Sequence, residues 1–180
     1  MSHLKIPVGT HDHSLGGAAA KATLVEYGDY QCPYCGSAYP LVKRLQSLLA
    51  DDLRLVFRNF PLAEMHPQAM AAAMTAEFAA THGQFWQAHD ALFENQSRLG
   101  ATFYEQLVGR LGLSKQELQA ALDAGTYVER IKADFDGGVR SGVNGTPTFF
   151  INGQRYDGPL EFDAMAEALS AVVTGARMTR

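Results

Sequence analysis

The stretch Leu24-Val25-Glu26-Tyr27-Gly28-Asp29-Tyr30-Gln31-Cys32-Pro33-Tyr34-Cys35-Gly36 holds the end of a strand, a turn and the start of a helix. Ala22 to Tyr27 is a short apolar run of strand length, stopped at Gly28-Asp29. Beyond the cysteines, Leu41, Val42, Leu45, Leu48 and Leu49 recur at the spacing of one helix face, so a helix follows the turn. Pro40 lies inside that pattern and is expected to kink the helix without ending it. A Cys-x-x-Cys at such a junction carries a redox mechanism. The first sulfur meets the free amides and dipole of the helix start, which favour its thiolate. The second lies one turn inward, within disulfide reach. Cys32 is therefore expected to be the exposed nucleophile of low pKa, and Cys35 the shielded thiol that resolves a mixed disulfide. Pro33 lacks an amide hydrogen at a position where none is needed, and it stiffens the turn.

Two blander readings compete. Half a zinc site completed by histidines is one, but His66, His82 and His89 lack the i, i+4 spacing, and His11 and His13 lie in the polar N-terminal stretch. The other is a structural disulfide, which would close so small a ring that it constrains little. With only 2 Cys in 180 residues, a four-cysteine zinc site and a disulfide-stapled fold are both excluded. A net charge of −4 lacks the basic footprint of a general nucleic-acid binder. Charged residues at 19% speak against a long disordered tail, and no apolar run is long enough to span a bilayer. Residues 1–17 are polar, hold three histidines and have no apolar leader core. The expectation is a cytoplasmic protein, or a periplasmic one if a leader has been removed.

Outward from the cysteines, Leu53 to Phe60 reads as a second strand closed by Pro61. Residues 66–137 form a helical block of four or five helices, with capping boxes expected at Thr102/Glu105, Ser114/Glu117 and Thr126/Glu129. Gly112 and Gly125 stand where helix C-terminal glycines belong. The strand pattern returns at residues 146–151, Asn152-Gly153 signals a tight hairpin, and a last helix carries Phe162, Met165, Leu169 and Val172. The order is βαβ, helical block, ββα. The organisation expected is a flexible arm over residues 1–20, a sheet-bearing domain from 21–65 and 138–180, and an inserted helical subdomain over 66–137. The glycines at 137, 138, 142 and 145 are followed by no Gly-Lys-Ser/Thr, so they give no phosphate loop.

Taken together, the Leu24–Gly36 stretch, Gly145-Thr146-Pro147-Thr148-Phe149 and Asp12-His13-Ser14-Leu15-Gly16 resemble the DsbA-like branch of the thioredoxin superfamily. The resemblance covers about residues 10–175. It implies an α/β, thioredoxin-like fold: a small mixed sheet flanked by helices, with the helical block inserted. It implies a thiol–disulfide oxidoreductase that uses the Cys-Pro-Tyr-Cys pair, with no cofactor and no metal. Its partners are thiol- or disulfide-containing proteins, with glutathione as a small-molecule candidate, and neither nucleic acid nor a membrane span. It also implies that Pro147 is a cis-proline facing the sulfurs, that Thr146 pairs through its backbone with bound peptide, and that Glu26 is a buried acid. From the residues alone, Pro147 reads as an ordinary trans proline, and Glu26 reads equally as an exposed edge carboxylate or a buried proton acceptor for Cys35. Pro33 and Tyr34 complete the substrate-facing set. The archetypal oxidase of the branch has His where Tyr34 stands. A neutral side chain there adds no charge to hold a thiolate, so a weaker oxidant is expected, roughly −160 to −230 mV. A peptide-binding or holdase module on the same fold is the alternative from another class.

Overall fold

The computed structural model describes residues 2–175. In chain order, β1 (His13–Leu15) is followed by β2 (Ala22–Gly28), α1 (Pro33–Leu49) and β3 (Leu53–Asn59). Five α-helices come next: α2 (Ala69–Ala80), α3 (Phe85–Glu94), α4 (Ala101–Arg110), α5 (Lys115–Ala124) and α6 (Val128–Arg140). The chain then returns to the sheet through β4 (Thr148–Ile151) and β5 (Gln154–Arg155), and α7 (Phe162–Thr174) closes the described part.

The strands form one mixed sheet in the order β1-β3-β2-β4-β5. β2 and β3 run parallel, from Ala22 opposite Leu53 to Gly28 opposite Asn59, and α1 is the crossover between them. Both are buried on two faces, which is why they read as apolar runs rather than as alternating patterns. β4 pairs antiparallel with β2, placing Thr148 opposite Tyr27. Asn152 and Gly153 both take positive φ, the conformation that lets a two-residue turn follow the strand twist into β5. Side chains alternate across the sheet. Leu24, Leu55, Phe149 and Ile151 pack with Leu45 of α1 and with Met165 and Leu169 of α7. On the opposite face Val25, Tyr27, Val56 and Phe150 gather around Phe60 and Val143. A third cluster lies in the helical stretch and reaches the cysteines through Tyr30 and Phe57.

Three expectations need correction. The N-terminal stretch is not a free arm. Residues 13–15 form β1 antiparallel to β3, the Leu4 amide donates to the Gly153 carbonyl at 2.8 Å, and Arg58 grips the segment before β1. That guanidinium donates to both oxygens of Asp12, at 2.7 and 3.0 Å, and to the carbonyls of Ile6 and Pro7. Of the three expected caps only Ser114 is one, accepting from the Glu117 amide at 3.2 Å. α4 starts one residue before Thr102 with Gly100 as its cap, and α6 is preceded by Tyr127 rather than Thr126. Finally, α6 runs on to Arg140, so the boundary expected at residue 137 falls inside a helix.

Candidate functional site

The strand-to-helix junction is built by main-chain bonds. The Cys32 amide donates to the Asp29 carbonyl at 3.1 Å, and the Gly36 amide to the Cys32 carbonyl at 3.0 Å, which starts α1. Cys32 is the N-cap residue, with φ −67° and ψ 122°, and Pro33 opens the helix. The buried Asp29 carboxylate ties this loop to the segment after β3. It accepts from the amides of Gln31 and Leu62, each at 2.8 Å, and from His66 Nδ1 at 2.8 Å. The Tyr30 ring is buried against Phe57 and Phe93, and its hydroxyl lies 3.1 Å from His89 Nδ1. Burial holds His89 neutral, its pKa lowered to about 3.

Both cysteines are free thiols. Cys35 is fully buried at 0% exposure, and Cys32, expected to be exposed, shows only 3% of its surface. The loop before β4 contributes to that, because the Thr146 carbonyl accepts from the Cys32 thiol at 3.4 Å. The two sulfurs are electrically unlike. The Cys32 pKa falls to about 5, first because the Cys35 thiol donates to it. Burial opposes that shift, while the Thr146 side chain and the amides of Cys35 and Tyr34 reinforce it. Cys35 moves the other way, pushed up by burial, then by its bond to Cys32 and by the charge of Glu26. Its sulfur accepts from the Asp29 amide at 3.5 Å.

Glu26 stands between Phe57 and Phe149 in the sheet register. Its carboxyl is buried, one oxygen has no hydrogen-bond partner, and burial pushes its pKa up to about 8. Gly28 leaves room beside it, since a Cβ there would lie 2.5 Å from the Phe57 ring and 3.2 Å from that oxygen. The Thr146–Pro147 peptide is cis. Cys32, Cys35 and the Thr146 carbonyl therefore meet at one place, next to the cis Thr146–Pro147 peptide, and the Glu26 charge is near enough to act on Cys35. Pro33 is exposed and Tyr34 is 75% exposed, so both form the rim. The histidines of the zinc reading are used elsewhere: His66 on Asp29, His89 on Tyr30, and His82 against the Phe78 carbonyl. Sequence reasoning missed Asp29 and His66, and also Gln96, whose side-chain amide donates to the Tyr30 and Cys32 carbonyls. Only Asp29 lay beside a recognised motif. A hollow of about 450 Å³ lined by Tyr27, Arg58 and Arg130 lies on the opposite sheet face from Glu26, because adjacent strand residues point opposite ways.

A family model described as Thioredoxin matches residues 9–171. Among solved structures, BdbD from Bacillus subtilis in its oxidised form superposes with a TM-score of 0.86 at 22% identity, over 97% of this chain and 99% of that one. A thioredoxin-like oxidoreductase from Silicibacter pomeroyi DSS-3 gives 0.78 at 26% identity, over 96% and 95%. Wolbachia pipientis alpha-DsbA1 gives 0.82 at 18% identity, over 96% of each chain. A curated relative, Na(+)/H(+) antiporter NhaA 1 of Salinispora arenicola (strain CNS-205), is 39% identical over 178 residues. That match takes in 97% of this chain and 27% of the antiporter, so the chain spans about a quarter of the length of the curated relatives it matches. No helix among the described residues is long and apolar enough to cross a membrane.

Proposed function

The chain belongs to the thioredoxin family, and from that premise we propose that it is a DsbA-like thiol–disulfide oxidoreductase working through Cys32 and Cys35. The observation that carries the proposal is the meeting of a helix-start Cys32, a buried Cys35 and the cis Thr146–Pro147 peptide at one point.

In the reducing direction the Cys32 thiolate attacks one sulfur of a substrate disulfide. That S–S bond breaks, one substrate thiolate leaves, and Cys32 is held in a mixed disulfide. Cys35 then gives up its proton and attacks Cys32 Sγ, expelling the second substrate thiolate. The chain is left as a disulfide and the substrate has gained two electrons. The reverse sequence oxidises a dithiol. We assign Glu26, whose charge bears on Cys35, as the acceptor of its proton: at a pKa of about 8 it is basic enough to take the proton and acidic enough to return it. Pro33 and Tyr34 form the rim that meets substrate, and the Thr146 main chain offers a bound peptide a pairing edge. Substrates are protein thiols and disulfides, with glutathione as a small-molecule exchange partner. In a cytoplasm poised near or below about −220 mV, a pair of intermediate potential would rest mostly reduced, which suits a reductase or exchange role there. Ion transport, the activity in the antiporters' name, is not part of the proposal.

Incubating the protein with an oxidised protein substrate tests this. Cys35→Ser should accumulate a mixed disulfide, Cys32→Ser none, and the double variant should lose insulin-disulfide reduction. A double variant that reduces insulin at the unmodified rate would end the reading.

A further inference from the structure

Gln96 lies in a 3-10 turn (Gln96–Arg98) between α3 and α4, more than 60 positions from the cysteines, yet it reaches them. Its Nε2 donates to the Cys32 carbonyl at 2.8 Å and to the Tyr30 carbonyl at 2.9 Å. Its Oε1 rests over Gly36, where a Cβ would collide with it. One side chain thus touches the loop at its entry, at the helix cap and in the first turn. The turn that presents it is itself fixed. Asn95 Nδ2 donates to the Ala91 carbonyl at 2.9 Å, and the Arg98 amide to the Asn95 carbonyl at 2.8 Å. The opposite amide orientation would set Oε1 against two carbonyl oxygens, so the network allows only this one.

We infer that Gln96 is a positioning residue through which the helical stretch sets the redox poise of the Cys32–Cys35 pair. The inference rests on the oxidoreductase reading above. Two carbonyl dipoles flank the nucleophile. The Cys32 carbonyl already accepts from the Gly36 amide, and the Gln96 amide adds a second donor there and a donor to the Tyr30 carbonyl, which lessens their repulsion of an anion at Cys32 Sγ. By holding the Cys32 peptide plane it also keeps the Tyr34 and Cys35 amides aimed at the sulfur, where they favour the thiolate. The thiolate exists only in the reduced form, so the benefit falls on that form and makes the pair more oxidising. On oxidation by glutathione disulfide, two protein thiols become one disulfide and one GSSG becomes two GSH, so the equilibrium constant reads this preference directly.

The test uses Gln96→Met, close in size but without a donor, and Gln96→Lys, which keeps donors and adds charge. The readouts are the glutathione equilibrium and the pH titration of the Cys32 thiolate absorbance. Gln96→Met should shift the equilibrium toward the disulfide by about threefold or more, about 14 mV, and raise the thiolate titration midpoint. Gln96→Lys should move both readouts the opposite way. A methionine variant with the unmodified potential and titration would overturn the inference, as would a lysine variant whose potential falls. If the methionine variant does not fold, the sign of the lysine shift decides alone. A purely structural glutamine would lower the melting temperature and leave the potential in place. Failure of the unmodified protein to equilibrate with glutathione would instead bring down the oxidoreductase reading, and this inference with it.

Discussion

Glu26 shows what one residue costs and does in this site. Its ordinary pKa is 4.5 and burial raises it to about 8. Between those values the unfolded chain has released a proton that the folded chain keeps, so stability falls as pH rises through the window, by up to about 1.4 kcal/mol per pH unit. Glu26→Gln should remove that slope. Urea unfolding at pH 5 and pH 8 should show the variant gaining about 2–4 kcal/mol over the unmodified protein between the two. The same substitution takes away the proposed acceptor for the Cys35 proton, so mixed disulfides should resolve more slowly, on the order of 100-fold. Equal pH slopes in the two proteins would mean that Glu26 is not held protonated by burial. The residue scale also shows where the sequence was mute. Cys32 and Cys35 announced themselves through a short motif, and Thr146 and Pro147 came from the family resemblance. The near-complete burial of Cys32 was announced by neither, because the Thr146 carbonyl that contributes to it lies 114 positions away.

At the scale of elements, local signals succeeded where the cause is local. β2 and β3 are apolar runs, the Asn152-Gly153 turn needs only its own two dihedrals, and α1 carries its stripe through Pro40. β1 had no such signal. Its three residues are held by pairing with β3 and by Trp86 Nε1 donating to the Ser14 carbonyl at 3.1 Å, neither of which a local pattern encodes. The capping boxes failed in an instructive way. Ser-x-x-Glu and Thr-x-x-Glu spacing is necessary for the reciprocal bonds, but the helix must also begin at the hydroxyl residue, and at Thr102 and Thr126 it does not. Ser114→Ala should therefore lower stability by about 1 kcal/mol. Thr102→Ala and Thr126→Ala, on exposed side chains that cap nothing, should stay within about 0.5 kcal/mol. Thermal unfolding of the three variants checks the contrast, and equal losses would contradict it.

For the molecule as a whole, the N-terminal segment is part of the fold through β1 pairing and through one largely buried ion pair. Arg58 and Asp12 are both nearly inaccessible, and although burial works against it, the Arg58 bonds hold the Asp12 carboxyl below its ordinary 3.8. An acid lowered in this way adds stability above pH 3.8 and loses it as pH falls through the lowered value. Asp12→Ala strands the guanidinium and should cost about 3 kcal/mol at neutral pH, read from denaturant unfolding. A loss below about 0.5 kcal/mol would show that the segment does not depend on the pair. At this scale the βαβ–helices–ββα order was legible, β1 apart, because strand-length apolar runs and helix-period stretches are bounded by their own turn residues. The convergence of three distant segments on two sulfurs was carried by family resemblance rather than by periodicity.

Whether these two sulfurs exchange electrons with other thiols is read from the reduction potential of the Cys32–Cys35 pair in glutathione buffers. One reversible two-electron transition is expected between about −160 and −230 mV, with neutral Tyr34 keeping the pair short of the strongest oxidases at about −120 mV. A value near −120 mV would show that Tyr34 does not weaken the oxidant, and a pair that never changes state with the buffer would show that Cys32 and Cys35 do not exchange electrons with thiols.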